Sequence, residues 1–172
     1  DEETADVAFH AAMTGHLVYS TLHTSSAAAT VARLLDLGLK PYVVASALEA
    51  IIAQRLVRKV CDHCREEVPA PKDVLQQLGP EFLAPELTFY RGRGCEKCHK
   101  GYRGRVALHE VLTADEALRA AITEGASAMQ IEALARKQGM QMLLDDALEK
   151  LRQGLTTPEE VLRLLGPQVL NA

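Results

Sequence analysis

An α/β fold with a four-cysteine subdomain and a helical tail is the prediction, and three observations carry it. Helical and strand-like periodicities alternate over the first 60 residues. Two Cys-x2-Cys pairs, Cys61/Cys64 and Cys95/Cys98, then bracket a proline-broken stretch. From Thr113 onward, helix-start and helix-stop signals recur without strand patterning. At 172 residues, 48% hydrophobic and 24% charged, the chain suits one domain, or one with a small satellite. Trp is absent and aromatics total 4%, so the core must come from Leu, Val, Ala and Ile.

Taken in order, the acidic opening Asp1-Glu2-Glu3 suits a helix N-terminus, and Ala5, Ala8, Phe9, Ala12 and Met13 follow at helical spacing to a stop at Gly15. His16 to His23 (HLVYSTLH) is β-rich and almost continuously apolar, which predicts a strand buried on both faces, as in a parallel sheet. Thr24-Ser25-Ser26 caps a second helix over 27–37, closed by Gly38; Pro41 opens a third, running to about Ala53. Gln54 to Val60 alternates as a strand into the first cysteine pair. Between the pairs, Pro69, Pro71, Pro80 and Pro85 leave room for one short helix near 73–78. Val106 to Leu112 predicts a returning strand. In the tail, Thr113-x-x-Glu116, Ser127-x-x-Gln130 and Thr157-x-x-Glu160 fit capping boxes, and Gly125, Gly139, Gly154 and Gly166 mark helix ends. Asp145-Asp146 reads as a solvated face.

Cysteines three apart on a tight turn direct both thiolates at one ion, and two such turns complete a tetrahedral shell. Thirty residues separate the pairs. No apolar run approaches the ~18 residues that span a bilayer, and nothing resembles a signal peptide, so a reducing compartment and structural zinc are favoured over disulfides or redox chemistry. Four thiolates leave no place for water or substrate, which predicts a structural metal. His63 and His99 stand beside the pairs as reserve ligands, more simply read as exposed.

His16 and His23 bracket the predicted strand. Ligands collect at the carboxyl ends of parallel strands, which places His23 where an imidazole can donate to a phosphate. On spacing alone, a satisfied histidine at a strand edge is the favoured reading. No Gly-x-x-x-x-Gly-Lys-Ser/Thr loop is present, so no phosphate cradle can be built from these residues. The chain begins without Met, which reads as part of something longer. The net charge of −4 is uneven: from Arg55 to Arg105 there are 11 Lys/Arg against 7 Asp/Glu, and elsewhere 8 against 16. Overall acidity argues against a dedicated nucleic-acid binder.

Four stretches resemble one family. TGHLVYSTLHT (14–24) is similar to the histidine box of bacterial type II secretion and type IV pilus-assembly ATPases. Asp1-Glu2-Glu3-Thr4-Ala5 looks like the segment after their Walker B strand, IAQRLVRKVCDHC (52–64) like the run into their tetracysteine motif, and GYRGRVALHEVL (101–112) like the strand that follows. The resemblance implies a RecA-like core acting as a hexameric ring on the cytoplasmic side of the inner membrane, hydrolysing ATP with Mg²⁺ and passing force to a membrane platform protein. It implies a domain order of core (1–60), zinc subdomain (61–100), then returning strand and helical subdomain (101–172). By the same resemblance His16 and His23 are the box residues, with His23 nearest the γ-phosphate. Cys61, Cys64, Cys95 and Cys98 are the zinc ligands, and Arg105 lies near the adenine end of the nucleotide. The presence of the tetracysteine insert favours an assembly or secretion motor over a retraction motor. The family's Walker A loop and Walker B glutamate have no counterpart in these residues, so the chain by itself is expected to be inactive. The competing expectation is a zinc-ribbon module that contacts a protein or single-stranded nucleic acid through Arg91, Arg93, Lys97, Lys100, Arg103 and Arg105, with Tyr90 and Tyr102 as stacking residues.

Overall fold

Apolar residues at helical and alternating spacing collect into two cores, one in each of two compact units of a computed structural model. The structure describes residues 1–69, 71–79, 82 and 87–169, with side chains as far as 166; the Pro80 and Pro85 breaks lie outside the described residues. The first unit takes Asp1–Ala53 and Glu110–Met142, the second Gln54–His109 and Leu143–Ala172.

In the first unit, α1 (Glu2–Met13) starts at Asp1, whose carboxylate accepts the Thr4 N–H at 2.8 Å. Helix α2 (Ala27–Asp36) is N-capped by Ser26 and ends before Gly38, whose φ of 92° only glycine adopts cheaply. Helix α3 (Pro41–Ala47) is shorter than its periodicity suggested. Strand β1 (Ala50–Val60) claims Ile51 and Ile52, because β-branched side chains prefer the pleat once a partner strand is available. Helices α5 (Glu116–Thr123) and α6 (Ala128–Lys137) complete this core around Val31, Val44, Leu112, Leu118, Ile122 and Ile131. Ser127 and Gln130 form the expected capping box, whereas α5 is capped by Asp115 and not by Thr113. Asp115 immediately precedes the helix, where its carboxylate reaches the Leu118 N–H.

In the second unit, β2 (Arg65–Val68) pairs antiparallel with β3 (Phe89–Gly92), Arg65 opposite Gly92 and Val68 opposite Phe89. Helices α4 (Lys72–Leu78), α7 (Leu143–Arg152) and α8 (Pro158–Val169) bury Leu75, Leu78, Ala147, Leu151, Val161 and Leu165. Gly166 does not end α8, which continues to Val169. Strand β4 (Tyr102–Thr113) pairs with β1. The Ala114 N–H reaches Glu49 and the Cys61 N–H reaches Gly101, both at 2.9 Å, so the two strands run antiparallel. Asp146 is not a solvated face: it accepts the His109 N–H and the Lys150 ammonium, both at 2.9 Å.

The parallel strand expected over 16–23 is absent. Residues 16–24 form no regular element, and Leu17 and Tyr19 are 75% and 87% exposed. Strand composition does not make a strand without neighbours to accept and donate its backbone hydrogen bonds, and none lies beside this segment among the described residues.

Candidate functional site

The four cysteines sit at strand ends. Cys61 follows β1 and Cys64 precedes β2, while Cys95 follows β3 and Cys98 precedes β4. Each pair closes a tight turn, Cys64 N–H to Cys61 O at 3.2 Å and Cys98 N–H to Cys95 O at 3.1 Å. Gly92 and Gly101 flank the second pair and let the ends of its loop close on each other: a Cβ on Gly92 would lie 2.1 Å from the Gly101 carbonyl oxygen. All four sulfurs fall within 4.8 Å of one another. Three of the separations are 3.7, 3.8 and 3.9 Å. A tetrahedral shell with metal–sulfur bonds of about 2.3 Å has sulfur–sulfur edges of about 3.8 Å. None of the four is in a disulfide. Four soft donors at this spacing could hold one ion and close its coordination.

The thiols have unequal acidities. Burial pushes Cys64 up to about 12. Burial acts the same way on Cys98, but the backbone N–H groups of Cys95 and Gly101 outweigh it and bring this thiol to about 7. The Cys95 N–H donates to the Cys98 sulfur at 3.2 Å, a contact that steadies a thiolate. His63 bonds Arg103 at 3.0 Å and His99 pairs through its backbone with Tyr102; neither joins the sulfur cluster.

The histidines of 16–23 belong to the first unit, and the four cysteines to the second. The His16 Nδ1 contacts Thr14 Oγ1 at 3.1 Å and the Ala11 carbonyl at 3.2 Å. His23 is exposed, four residues ahead of α2. The α2 N-terminus is itself occupied: the buried Glu110 carboxylate accepts the Ala27 N–H at 2.6 Å, while Ser26 accepts that of Ala29. Sequence reasoning missed Glu110, although it stands between Leu108 and Leu112 on the inward face of a strand, where a carboxylate must have a partner.

A second buried carboxylate was also missed. Glu160 of α8 is 1% exposed and accepts from the Arg163 Nε and Nη2 at 3.0 Å each, from the Arg58 Nη2 at 2.6 Å and from the Arg58 backbone N–H at 3.0 Å. Burial alone would raise its pKa; these donors more than reverse that and hold it at about 2. The capping-box reading of Thr157–Glu160 is therefore half right: the Thr157 Oγ1 accepts the Glu160 N–H at 3.4 Å, but the Glu160 side chain turns to arginines. Arg105 lines a cavity with Leu56, Arg58 and Arg163.

Comparison with known proteins adds to this arrangement. The type II/IV secretion system protein family matches residues 1–163. The chain is 47% identical over 164 residues to the type IV pilus assembly ATPase PilB of Thermus thermophilus, covering 94% of this chain and 18% of that protein. It is 44% identical over 165 residues to the type II secretion system ATPase E of Vibrio cholerae, covering 95% of this chain and 32% of that protein. The pilus retraction motor PilT with bound ADP superposes with a TM-score of 0.63 at 25% identity, over 95% of this chain and 36% of PilT. The Legionella pneumophila ATPase DotB superposes with a TM-score of 0.60 at 26% identity, over all of this chain and 37% of DotB. The chain thus spans about a third or less of these relatives. With the match running from the first residue through the histidine segment, both cysteine turns and the tail, the chain belongs to the type II/IV secretion system protein family.

Proposed function

We propose that this chain is the C-terminal portion of a hexameric, RecA-like ATPase that powers type IV pilus assembly or type II secretion. The supporting observation is the near-complete match to that family, with the histidine segment followed by four converging cysteines. In this reading 1–60 closes the ATPase core, 61–100 is a metal subdomain, and 101–172 supplies the returning strand and the helical subdomain. Cys61, Cys64, Cys95 and Cys98 hold one Zn²⁺, whose role is to fasten the two cysteine turns to each other. His16 and His23 belong to the catalytic set. An imidazole N–H at His23 can donate to charge developing on a transferring phosphoryl group, a contact worth most where water is excluded. Arg105 contacts the nucleotide near its base.

Mg²⁺ and a phosphate-binding loop neutralise and position the phosphates in such enzymes, and the loop has no counterpart in these 172 residues. In this reading the whole protein acts on the cytoplasmic face of the inner membrane and engages a platform protein as a homo-hexamer. ATP turnover with Mg²⁺ by the full-length protein, and none by residues 1–172 alone, is the expected result. Turnover by the 172-residue chain, or none by the full-length hexamer, would reject the reading. For the nucleic-acid alternative, Arg58 lies over the Tyr102 ring at 4.1 Å and Arg65 over Tyr90 at 4.8 Å, so one face of each proposed stacking ring already carries a cation.

A further inference from the structure

Three guanidinium groups face one cavity in the second unit. Arg58 from β1, Arg105 from β4 and Arg163 from α8 line a volume of about 530 Å³, with Leu56 as the remaining wall. Two of them are held in place from behind. Glu160 grips Arg163 through both carboxylate oxygens and Arg58 through one, and the Tyr102 ring lies under the Arg58 guanidinium. The Tyr102 hydroxyl is in turn tied to Thr157 at 2.9 Å, and Thr156 donates to the Arg58 carbonyl at 2.9 Å. Arg58 and Arg163 thus give few of their five N–H donors to Glu160 and keep the rest, in fixed orientation.

Among the described residues, Arg105 has no hydrogen-bond or ion-pair partner and no carboxylate lines the cavity. Three positive charges stand against the one negative charge of Glu160 behind them, which leaves an excess of two. A cluster of like charges assembled on rigid strands and a helix costs free energy that an anionic occupant recovers. Planar forks match the oxygens of phosphate, and a charge excess of two spread over three side chains fits a diphosphate better than one small ion. The volume is of ligand size.

The geometry points to a binding site for a diphosphate-bearing anion, held by Arg58, Arg105 and Arg163 and preorganised by Glu160. The site does not depend on the motor reading. Arg105 is common to both, and the use of a ligand without a base separates them.

The test is calorimetric titration of the 172-residue chain with inorganic pyrophosphate in Mg²⁺-free buffer. One equivalent is expected to bind, at least tenfold more weakly to Arg105→Gln, whose exposed and unpartnered side chain can be replaced without disturbing the melting temperature. Lys137→Gln, which removes the same charge from α6 in the other unit, is expected to change affinity less than twofold. An equal loss in both variants would reduce the site to general attraction of anions and overturn it. Equal binding of malonate would overturn the phosphate assignment, as would no binding of pyrophosphate or ADP to the wild-type chain. Binding of ADP without pyrophosphate would assign Arg105 to a base contact and overturn the site. Binding of pyrophosphate, with or without ADP, supports it, and turnover by the full-length protein is read separately.

Discussion

Glu160 is the residue on which the second unit's stability most visibly turns. Its pKa of about 2 lies below the ordinary value of 4.5, so it contributes stability that is fully present above pH 4.5 and is lost as pH falls towards 2. A depression of that size corresponds to about 3 kcal/mol. Glu160→Gln should therefore lower unfolding free energy by about 3 kcal/mol at pH 7, and the gap to wild type should narrow steadily between pH 4.5 and 2. Denaturant titrations at three pH values check this; a gap that persists at pH 2 would place the effect in packing instead. Of its two arginine partners, Arg163 stands three residues on in the same helix, whereas Arg58 is 102 residues away in sequence, and the Thr157-x-x-Glu160 spacing advertises a different use for the same side chain. The cysteines are the opposite case. Each pair is made by a four-residue turn, so the spacing already contains most of the geometry, and only the meeting of the two turns needs the tertiary fold.

Among the elements, the segment 16–24 separates composition from structure most sharply. Its apolar run predicts a buried strand, yet Leu17, Tyr19 and Leu22 are exposed and no strand lies beside it among the described residues. Backbone amides of residues 17–23 should then exchange at close to unprotected rates in the 172-residue chain, while those of α2 just beyond stay protected, as hydrogen-exchange mass spectrometry would show. In the full-length protein the same amides should slow by at least about tenfold, because the motor reading supplies neighbouring strands; equal exchange in both forms would count against it. Helix ends were legible wherever a cap and a glycine agreed, as at Ser127 and Gly139 or Ser26 and Gly38. The end of α3 was not, because the apolar pattern from Pro41 to Ala53 runs through the switch from helix to β1 without a break. Strands β2 and β3 were missed because Arg-Glu-Glu-Val and Phe-Tyr-Arg-Gly lack a strand's alternation; they pair because the cysteine turns bring them side by side.

At the scale of the whole molecule, two cores of similar make-up have different supports. The first unit's core of Val31, Val44, Leu118, Ile122 and Ile131 includes no thiol, while the second unit contains all four. Stripping the metal with a chelator should therefore raise amide exchange in β2, β3 and the residues around Cys61 and Cys98, and leave α2, α5 and α6 unchanged. Uniform loosening of both units would contradict that division. The functional reading asks more, because it assigns the chemistry to a protein of which this chain is a part. His23 carries the heaviest claim in that reading, as an exposed imidazole whose role arises only when a nucleotide site is completed around it. The direct measurement is the steady-state ATP turnover of the full-length protein bearing His23→Ala, alongside its nucleotide affinity. The account predicts a fall in turnover of about 100-fold with nucleotide affinity within a few-fold of wild type, the mark of a contact made chiefly in the transition state; turnover equal to wild type would contradict it.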